Sequence, residues 1–106
     1  MQAVPHLLLA LLLVTLSVPA VGSVGMLDRI KTSQSLTIAY APNAYPISFK
    51  DESGEPNGYS VDLCRRIAEG IQRQLKLDTL DIKWLEGNTP RRLAAVMNGE
   101  ADLECG

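Results

Sequence analysis

The stretch Gly58-Tyr59-Ser60-Val61-Asp62-Leu63-Cys64-Arg65-Arg66-Ile67-Ala68-Glu69-Gly70-Ile71 constrains the fold more than any other. It reads as a tight turn that runs straight into an amphipathic helix. Val61, Cys64, Ile67, Ala68, Ile71 and Leu75 recur at three-and-four spacing, the stripe that a helix buries. Arg65, Arg66, Glu69, Gln72 and Arg73 fall off that stripe, toward water. Ser60 or Asp62 stands where a side chain accepts from the free N–H groups of a first helical turn. Runs with β character lie on both sides of the helix. A helix between strands is a crossover, so the pattern predicts an α/β unit with this helix packed on an open sheet.

The flanking segments extend the pattern. Leu27-Asp28-Arg29-Ile30 reads as a helical turn or two, with Leu27 and Ile30 on one side. Ser35 to Tyr40 alternates and carries β-branched residues, which predicts the first strand. Ala41 to Pro46 holds two prolines and reads as a loop. Ile47-Ser48-Phe49 is a candidate short strand, and Asp51 to Gly58 a polar turn. Leu80, Ile82 and Trp84 alternate strictly, which predicts a second main strand with Trp84 in the core. Glu86-Gly87-Asn88 reads as a loop. Thr89 reads as an N-cap with Pro90 at the first helical position, and Gly99 as the left-handed stop of that helix. Ala101 to Cys105 opens a third strand. In such sheets ligands bind at the carboxyl ends of the strands. There the loop Ala41–Pro46, the turn Glu86–Arg92 and the segment Glu104–Gly106 converge.

Composition narrows the class. The chain has 106 residues and a formal net charge of −2, so one domain at most is expected. A charge balance near neutral argues against nucleic acid as a partner. The single His and the scattered acidic residues form no metal-ligand cluster, and no cofactor is expected. Leu7 to Leu16 reads LLLALLLVTL, and no Asp, Glu, Lys or Arg precedes Asp28. With Pro19 and the small residues Ala20 and Gly22, this predicts an export signal over 1–22 cut after Gly22, a cut after Ser23 being the near alternative. The competing reading is a membrane anchor. The 15 residues from Leu7 to Val21 fall short of the roughly 20 that a spanning helix needs. Export leads to an oxidising compartment, where Cys64 and Cys105 could pair. Two buried free thiols are the reading the sequence favours over the bridge.

At family level the chain resembles the bacterial extracellular solute-binding proteins of family 3, the polar amino-acid receptors of ABC importers. Gly58-Tyr59-Ser60-Val61-Asp62-Leu63 with Ile67-Ala68 and Ile71 resembles the family signature, with Ser60 where Asp or Glu is usual. Leu27–Lys31, Leu36–Tyr40, Pro46–Phe49, and Arg92 with Asn98–Leu103 resemble further family segments in the same order. Asp102-Leu103-Glu104-Cys105-Gly106 is similar to the glutamate/aspartate-binding subgroup. The resemblance implies a two-lobe periplasmic-binding-protein-like fold of type II that closes on its ligand. Residues 23–106 are then the N-terminal part of lobe 1, and the expectation is a truncated piece of a longer protein. It further implies a periplasmic monomer that takes a free polar or acidic amino acid and hands it to ABC transporter membrane subunits. Relatives of the same fold also serve as ligand sensors, as exported dehydratases and as regulatory domains of lytic transglycosylases.

An amino-acid ligand needs a carboxylate partner, and a guanidinium fork matches two oxygens. Arg92, in the first turn of the helix after Thr89, is the expected partner, and Thr89 a second ligand-binding residue. Tyr45 is expected to wall the ligand, although the family's aromatic position falls on Ala44. Where the acidic subgroup often has an Arg after its first strand, this chain has Ala41. Asp62 and Asp102 read as structural carboxylates. No nucleophile–base set appears, so a binding protein and no enzyme is expected.

Overall fold

A computed structural model describes residues 25–106. The export segment over 1–22 and its cut site lie outside the described residues. The elements run α1 (Met26–Ser33), β1 (Ser35–Tyr40), β2 (Asn43–Ala44), β3 (Ser48–Lys50), β4 (Pro56–Asn57), α2 (Tyr59–Gln74), β5 (Asp81–Glu86), α3 (Thr89–Met97) and β6 (Leu103–Cys105). This is the α/β architecture that the sequence predicts, and it places a parallel sheet at the centre.

β1 lies in the middle of that sheet, in the order β5-β1-β6. It pairs in parallel with β5 from Ser35↔Asp81 to Tyr40↔Glu86, and with β6 from Ile38↔Leu103 to Tyr40↔Cys105. Parallel neighbours cannot be joined by a tight turn. Helix α2 therefore carries the chain from the β1 side to β5, and α3 carries it from β5 across to β6. Alternate side chains of a strand face opposite ways. Leu36 and Ile38 pack with Cys64, Ala68, Ile30 and Cys105, with Ile71, Leu75, Ile82, Trp84 and Leu103 around them. Ala39 packs on the other face with Ala95 and Ala101, against Leu85. The α2 side thus holds the larger core. Each fully buried Ile, Leu or Val there contributes about 1.5–3 kcal/mol by leaving water. Asp102 fastens the start of β6: its carboxylate accepts from the Thr37 N–H at 2.9 Å, and its own N–H reaches Thr37 O at 2.8 Å.

Helix α2 departs from the expected stripe at one position. Val61, Cys64 and Ala68 are buried, whereas Ile67 is 48% exposed. Ile67 lies roughly 60° to one side of the contact line through Cys64, at a helical 100° per residue. A sheet of three strands does not reach around that far. Trp84 is half-buried rather than enclosed: the Arg65 guanidinium covers its ring at 5.2 Å and Tyr40 meets it edge-on at 5.7 Å.

The expected short strand at Ile47–Phe49 appears as β3, and the segments on either side of it, expected as loop and turn, add β2 and β4 to make a second, antiparallel sheet in the order β2-β3-β4. Pro56 sits on its edge strand β4, where a missing N–H costs no ladder bond. The Asp51 carboxylate organises the intervening turn, accepting from Ser53 N at 2.9 Å, Ser53 Oγ at 2.6 Å and Glu55 N at 2.9 Å. These bonds, led by the one from the Ser53 hydroxyl, hold its pKa below the usual carboxylate value. Ser48 is fully buried. Its hydroxyl donates to Ala41 O at 2.8 Å and accepts from Ala41 N at 3.1 Å, which pins the small sheet to the end of β1.

That sheet also caps α2, in a way the sequence did not indicate. Neither Ser60 nor Asp62 caps the helix; the N-cap is Gly58, and no side chain bonds there. The carbonyls of Pro46 and Ile47 accept from Tyr59 N at 3.3 Å and Ser60 N at 2.9 Å instead. The Ser60 hydroxyl lies 2.9 Å from the carbonyls of both Ile47 and Gly106. Asp62 pairs with Arg65 on the helix surface at 3.2 Å. Gly58 has φ of 115°, and a Cβ there would stand 2.5 Å from Ile47 O.

The sulfurs of Cys64 on α2 and Cys105 on β6 are joined, with their Cα atoms 6.6 Å apart. The bridge closes a sequence separation of 41 residues. Chain-entropy scaling for a loop of that length gives about 4 kcal/mol. The double variant C64A/C105A is expected to lose stability of that order in urea denaturation, and the unreduced native protein to show no alkylatable thiol. Gly58→Ala is expected to cost more than about 1 kcal/mol, because its backbone is left-handed and its space is filled. Urea denaturation of that variant measures it.

Candidate ligand crevice at the strand tips

A crevice of about 440 Å³ opens at the carboxyl ends of β1 and β5. It is lined by the Ala41–Ala44 segment, by Glu86, Gly87, Asn88 and Thr89, and by Arg92. A second, smaller cleft of about 260 Å³ lies at the opposite end of β1, among residues such as Arg29, Ser35 and Asp102. The strand-tip crevice has the chemistry for a ligand. It combines a helix start, where N–H groups and the helix dipole favour an anion, with a guanidinium.

Arg92 reaches this place because its neighbours divide their roles. Arg91 and Arg92 are adjacent and so point about 100° apart around α3. Arg91 turns to solvent and forms a two-pronged pair with Glu100, at 2.5 and 2.8 Å. Arg92 turns inward and is 7% exposed. Its Nε donates to Glu104 Oε1 at 2.5 Å, one Nη donates to Gly87 O at 2.7 Å, and the other to Thr89 Oγ1 at 3.3 Å. A guanidinium has five N–H groups. Three are used, which leaves one on each terminal nitrogen. Glu104 arrives from β6, in register with Ala39 and on the α3 side of the sheet. Sequence reasoning assigned it no role, although the alternation of β6 places Glu104 opposite to Leu103 and Cys105.

Thr89 lies in the crevice, but its expected capping role belongs to Asn88. The Asn88 side chain accepts from Arg91 N at 2.9 Å, Thr89 is the first helical residue, and Pro90 the second. Asn caps at least as well as Thr, so either boundary satisfied the sequence pattern. Released from capping, the Thr89 hydroxyl holds the guanidinium of Arg92.

Tyr45 is not brought to the crevice. It is 79% exposed, it is absent from the lining, and its ring rests on Phe49 at 4.9 Å. Ala44 lines the crevice instead. Neighbouring residues of an extended segment face opposite ways, so a shift of one position carries the aromatic ring to the far side.

Glu86 is the residue that the sequence left in a loop. It is the last residue of β5, in register with Tyr40, and lines the crevice. Its Oε2 accepts from Lys50 Nζ at 2.6 Å and from the Tyr40 hydroxyl at 3.3 Å. Lys50, first by hydrogen bond and then by charge, holds the Glu86 carboxyl below its usual pKa. Burial, followed by the nearby Glu86 charge, raises the Tyr40 phenol. Glu86 is therefore ionised at neutral pH. The signal available beforehand was the alternation at Leu80, Ile82 and Trp84, which continues to Glu86.

The fold and crevice define an open α/β lobe with a charged cleft at its strand tips, an architecture shared with solved binding proteins. An ancestral amino acid-binding protein, described as a precursor of cyclohexadienyl dehydratase, superposes with a TM-score of 0.64. The match is 21% identical and covers 77% of this chain and 33% of that one. A point mutant of domain 1 from TmArgBP of T. maritima, in its arginine-bound form, superposes with a TM-score of 0.58. It is 24% identical over 74% of this chain and 56% of that domain. Residues 36–106 match the bacterial extracellular solute-binding proteins, family 3, and the chain belongs to that family. An L-glutamate/L-aspartate-binding protein of Pseudomonas aeruginosa is 33% identical over 110 residues. That alignment covers all of this chain, which spans 36% of the length of the relative.

Glu104→Gln is expected to destabilise the protein by about 1–3 kcal/mol, since it leaves a buried guanidinium without its anion. Glu100→Gln, on the exposed pair with Arg91, is expected to cost clearly less. Urea denaturation of the two variants side by side measures the difference.

Proposed function

We propose that this protein is the extracytoplasmic receptor of an ABC importer. In this reading it captures a polar amino acid of the glutamate/aspartate class between two lobes and delivers it to the transporter's membrane subunits. It works as a monomer in the periplasm, and residues 23–106 supply one side of the site. The observation that carries the reading is Arg92: an inward guanidinium at the strand tips, held on three sides, with one N–H left on each terminal nitrogen. Such a group is pre-positioned for a ligand carboxylate, so little ordering entropy is lost on binding. Thr89 supports it from below. Arg92 is the one cation among the lining residues, and Ala41 adds no second guanidinium. This favours the α-carboxylate as the group Arg92 takes. The name of the Pseudomonas aeruginosa relative supplies the ligand class.

The reading is of binding without turnover. Likeness to the dehydratase precursor at 21% identity extends to the fold alone.

The test is ligand-induced thermal stabilisation of the protein by each of the twenty protein L-amino acids. Glutamate, aspartate or glutamine is expected to raise the Tm. At a ligand concentration of 100 times Kd the added stability is about 2.7 kcal/mol. Arg92→Lys keeps the charge and loses the fork, and is expected to weaken binding about tenfold or more. Absence of any Tm shift with every amino acid, or an R92K variant that binds like wild type, overturns the reading.

A further inference from the structure

The end of β6 carries the anion that holds Arg92, and the sheet secures it only lightly. Among the described residues β6 is an edge strand of three residues, paired with β1 on one side. Its middle residue, Glu104, faces α3 and accepts from Arg92 Nε at 2.5 Å. Cys105 faces the other way, into the α2 core. Gly106 lies against the ion pair: a Cβ built there would stand 3.5 Å from Glu104 Oε1 and 3.7 Å from Arg92 Nη2. Helix α2 adds two ties to this strand end from the far face. Cys64 is bonded to Cys105, and the Ser60 hydroxyl lies 2.9 Å from Gly106 O. Ser60 and Cys64 are four residues apart and so stand one above the other on the helix. We propose that Ser60 and the Cys64–Cys105 bridge are positioning residues for Arg92: α2 clamps the end of β6 from one face so that Glu104 aims the guanidinium on the other. What the clamp does for a ligand rests on the amino-acid reading above; the aim of the guanidinium does not.

Each tie has a firm anchor. The bridge is buried at both ends and packs with Ile30, Leu36, Ile38 and Ala68. The start of α2 is fixed by the carbonyls of Pro46 and Ile47. A hydroxyl has one proton to give. Ile47 O, the other carbonyl within 2.9 Å of it, already accepts from Ser60 N at 2.9 Å. That carbonyl is satisfied without the hydroxyl, which leaves the proton for Gly106 O. Arg92 depends on the outcome because its contacts come from two elements. Gly87 O and Thr89 Oγ1 hold its terminal nitrogens from the entry to α3, and Glu104 alone takes Nε. Two of these points leave the guanidinium plane free to tilt, and the third sets it. A fork that meets a carboxylate with two parallel N–H groups is sensitive to that tilt. A shift of the β6 tip by about 1 Å carries Glu104 to the limit of hydrogen-bond range.

The experiment uses the full chain and two readouts on wild type, Ser60→Ala, Ser60→Thr, C64A/C105A and Glu104→Gln. The first needs no ligand. The Arg92 Nε–H, assigned as the resonance that R92K lacks, is followed by NMR for its exchange with water. S60A and C64A/C105A are expected to speed that exchange about threefold or more, and S60T, which keeps the hydroxyl, to restore it. Leu77→Ala serves as the control. Leu77 packs on the α2 core just ahead of β5, away from the strand tips. L77A is expected to lower the Tm and to leave the exchange within about twofold of wild type. The second readout is calorimetry with L-glutamate, L-aspartate and L-glutamine. S60A and C64A/C105A are expected to weaken binding roughly threefold to thirtyfold. In an E104Q background the same changes are expected to alter affinity by less than about twofold while still lowering the Tm, because the clamp acts through Glu104. The proposal is overturned if both clamp variants leave the Nε–H exchange as in wild type, if L77A speeds it as much as they do, or if they weaken binding by the same factor with and without Glu104. Should wild type bind none of the three amino acids, the receptor reading fails, and the exchange alone decides whether α2 aims Arg92.

Discussion

The parallel pairing of β1 with strands on both of its edges is the constraint from which the rest of the structure follows. A strand with two parallel neighbours is buried on both faces and needs a crossover helix for each. β1 shows this in its composition: Leu36, Ile38, Ala39 and Tyr40 are all buried, across both faces. The two helices that satisfy the constraint then start above the same edge of the sheet. Gly58 opens α2, and Asn88 opens α3. Polar backbone and side chains gather there because strand ends and helix starts leave N–H and carbonyl groups unpaired. The crevice is a consequence of topology before it is a matter of particular residues.

The small antiparallel sheet turns that edge into a defined surface. Its carbonyls at Pro46 and Ile47 take the place of a capping side chain for α2. Its Ser48 holds the end of β1, and its Lys50 reaches Glu86 on β5. A segment with two prolines and several turn residues thus does three structural tasks. The bridge between Cys64 and Cys105 does a fourth. It ties β6 to α2, and β6 carries Glu104 to the Arg92 guanidinium. The group proposed to meet the ligand is therefore positioned by elements from both faces of the sheet.

Much of this was legible beforehand. Period-two alternation marked β1 and β5 to within a residue, three-and-four spacing marked α2, and Pro90 with Gly99 marked the two ends of α3, because each signal follows from local backbone geometry. The convergence of Ala41–Ala44 with Glu86–Arg92 followed from the element order. Other features were not legible, for reasons of equal physical clarity. Asn88 and Thr89 both cap helices, and a choice between neighbours depends on where the strand before them ends. Tyr45 and Ala44 differ by one step of an extended chain, and one step reverses the side a ring faces. The β2 and β4 strands are two residues each, too short for a pattern to show.

Local sequence therefore determined the elements, their order and the family, since those depend on residues close together along the chain. Tertiary structure alone decided what the charged groups do. Glu104 is 12 positions from Arg92, Lys50 is 36 from Glu86, and Ser60 is 46 from Gly106, counted from their numbers in the sequence. No periodicity spans such distances. Hydrogen bonds and ion pairs act over about 3 Å, and only the folded sheet brings those partners within that range.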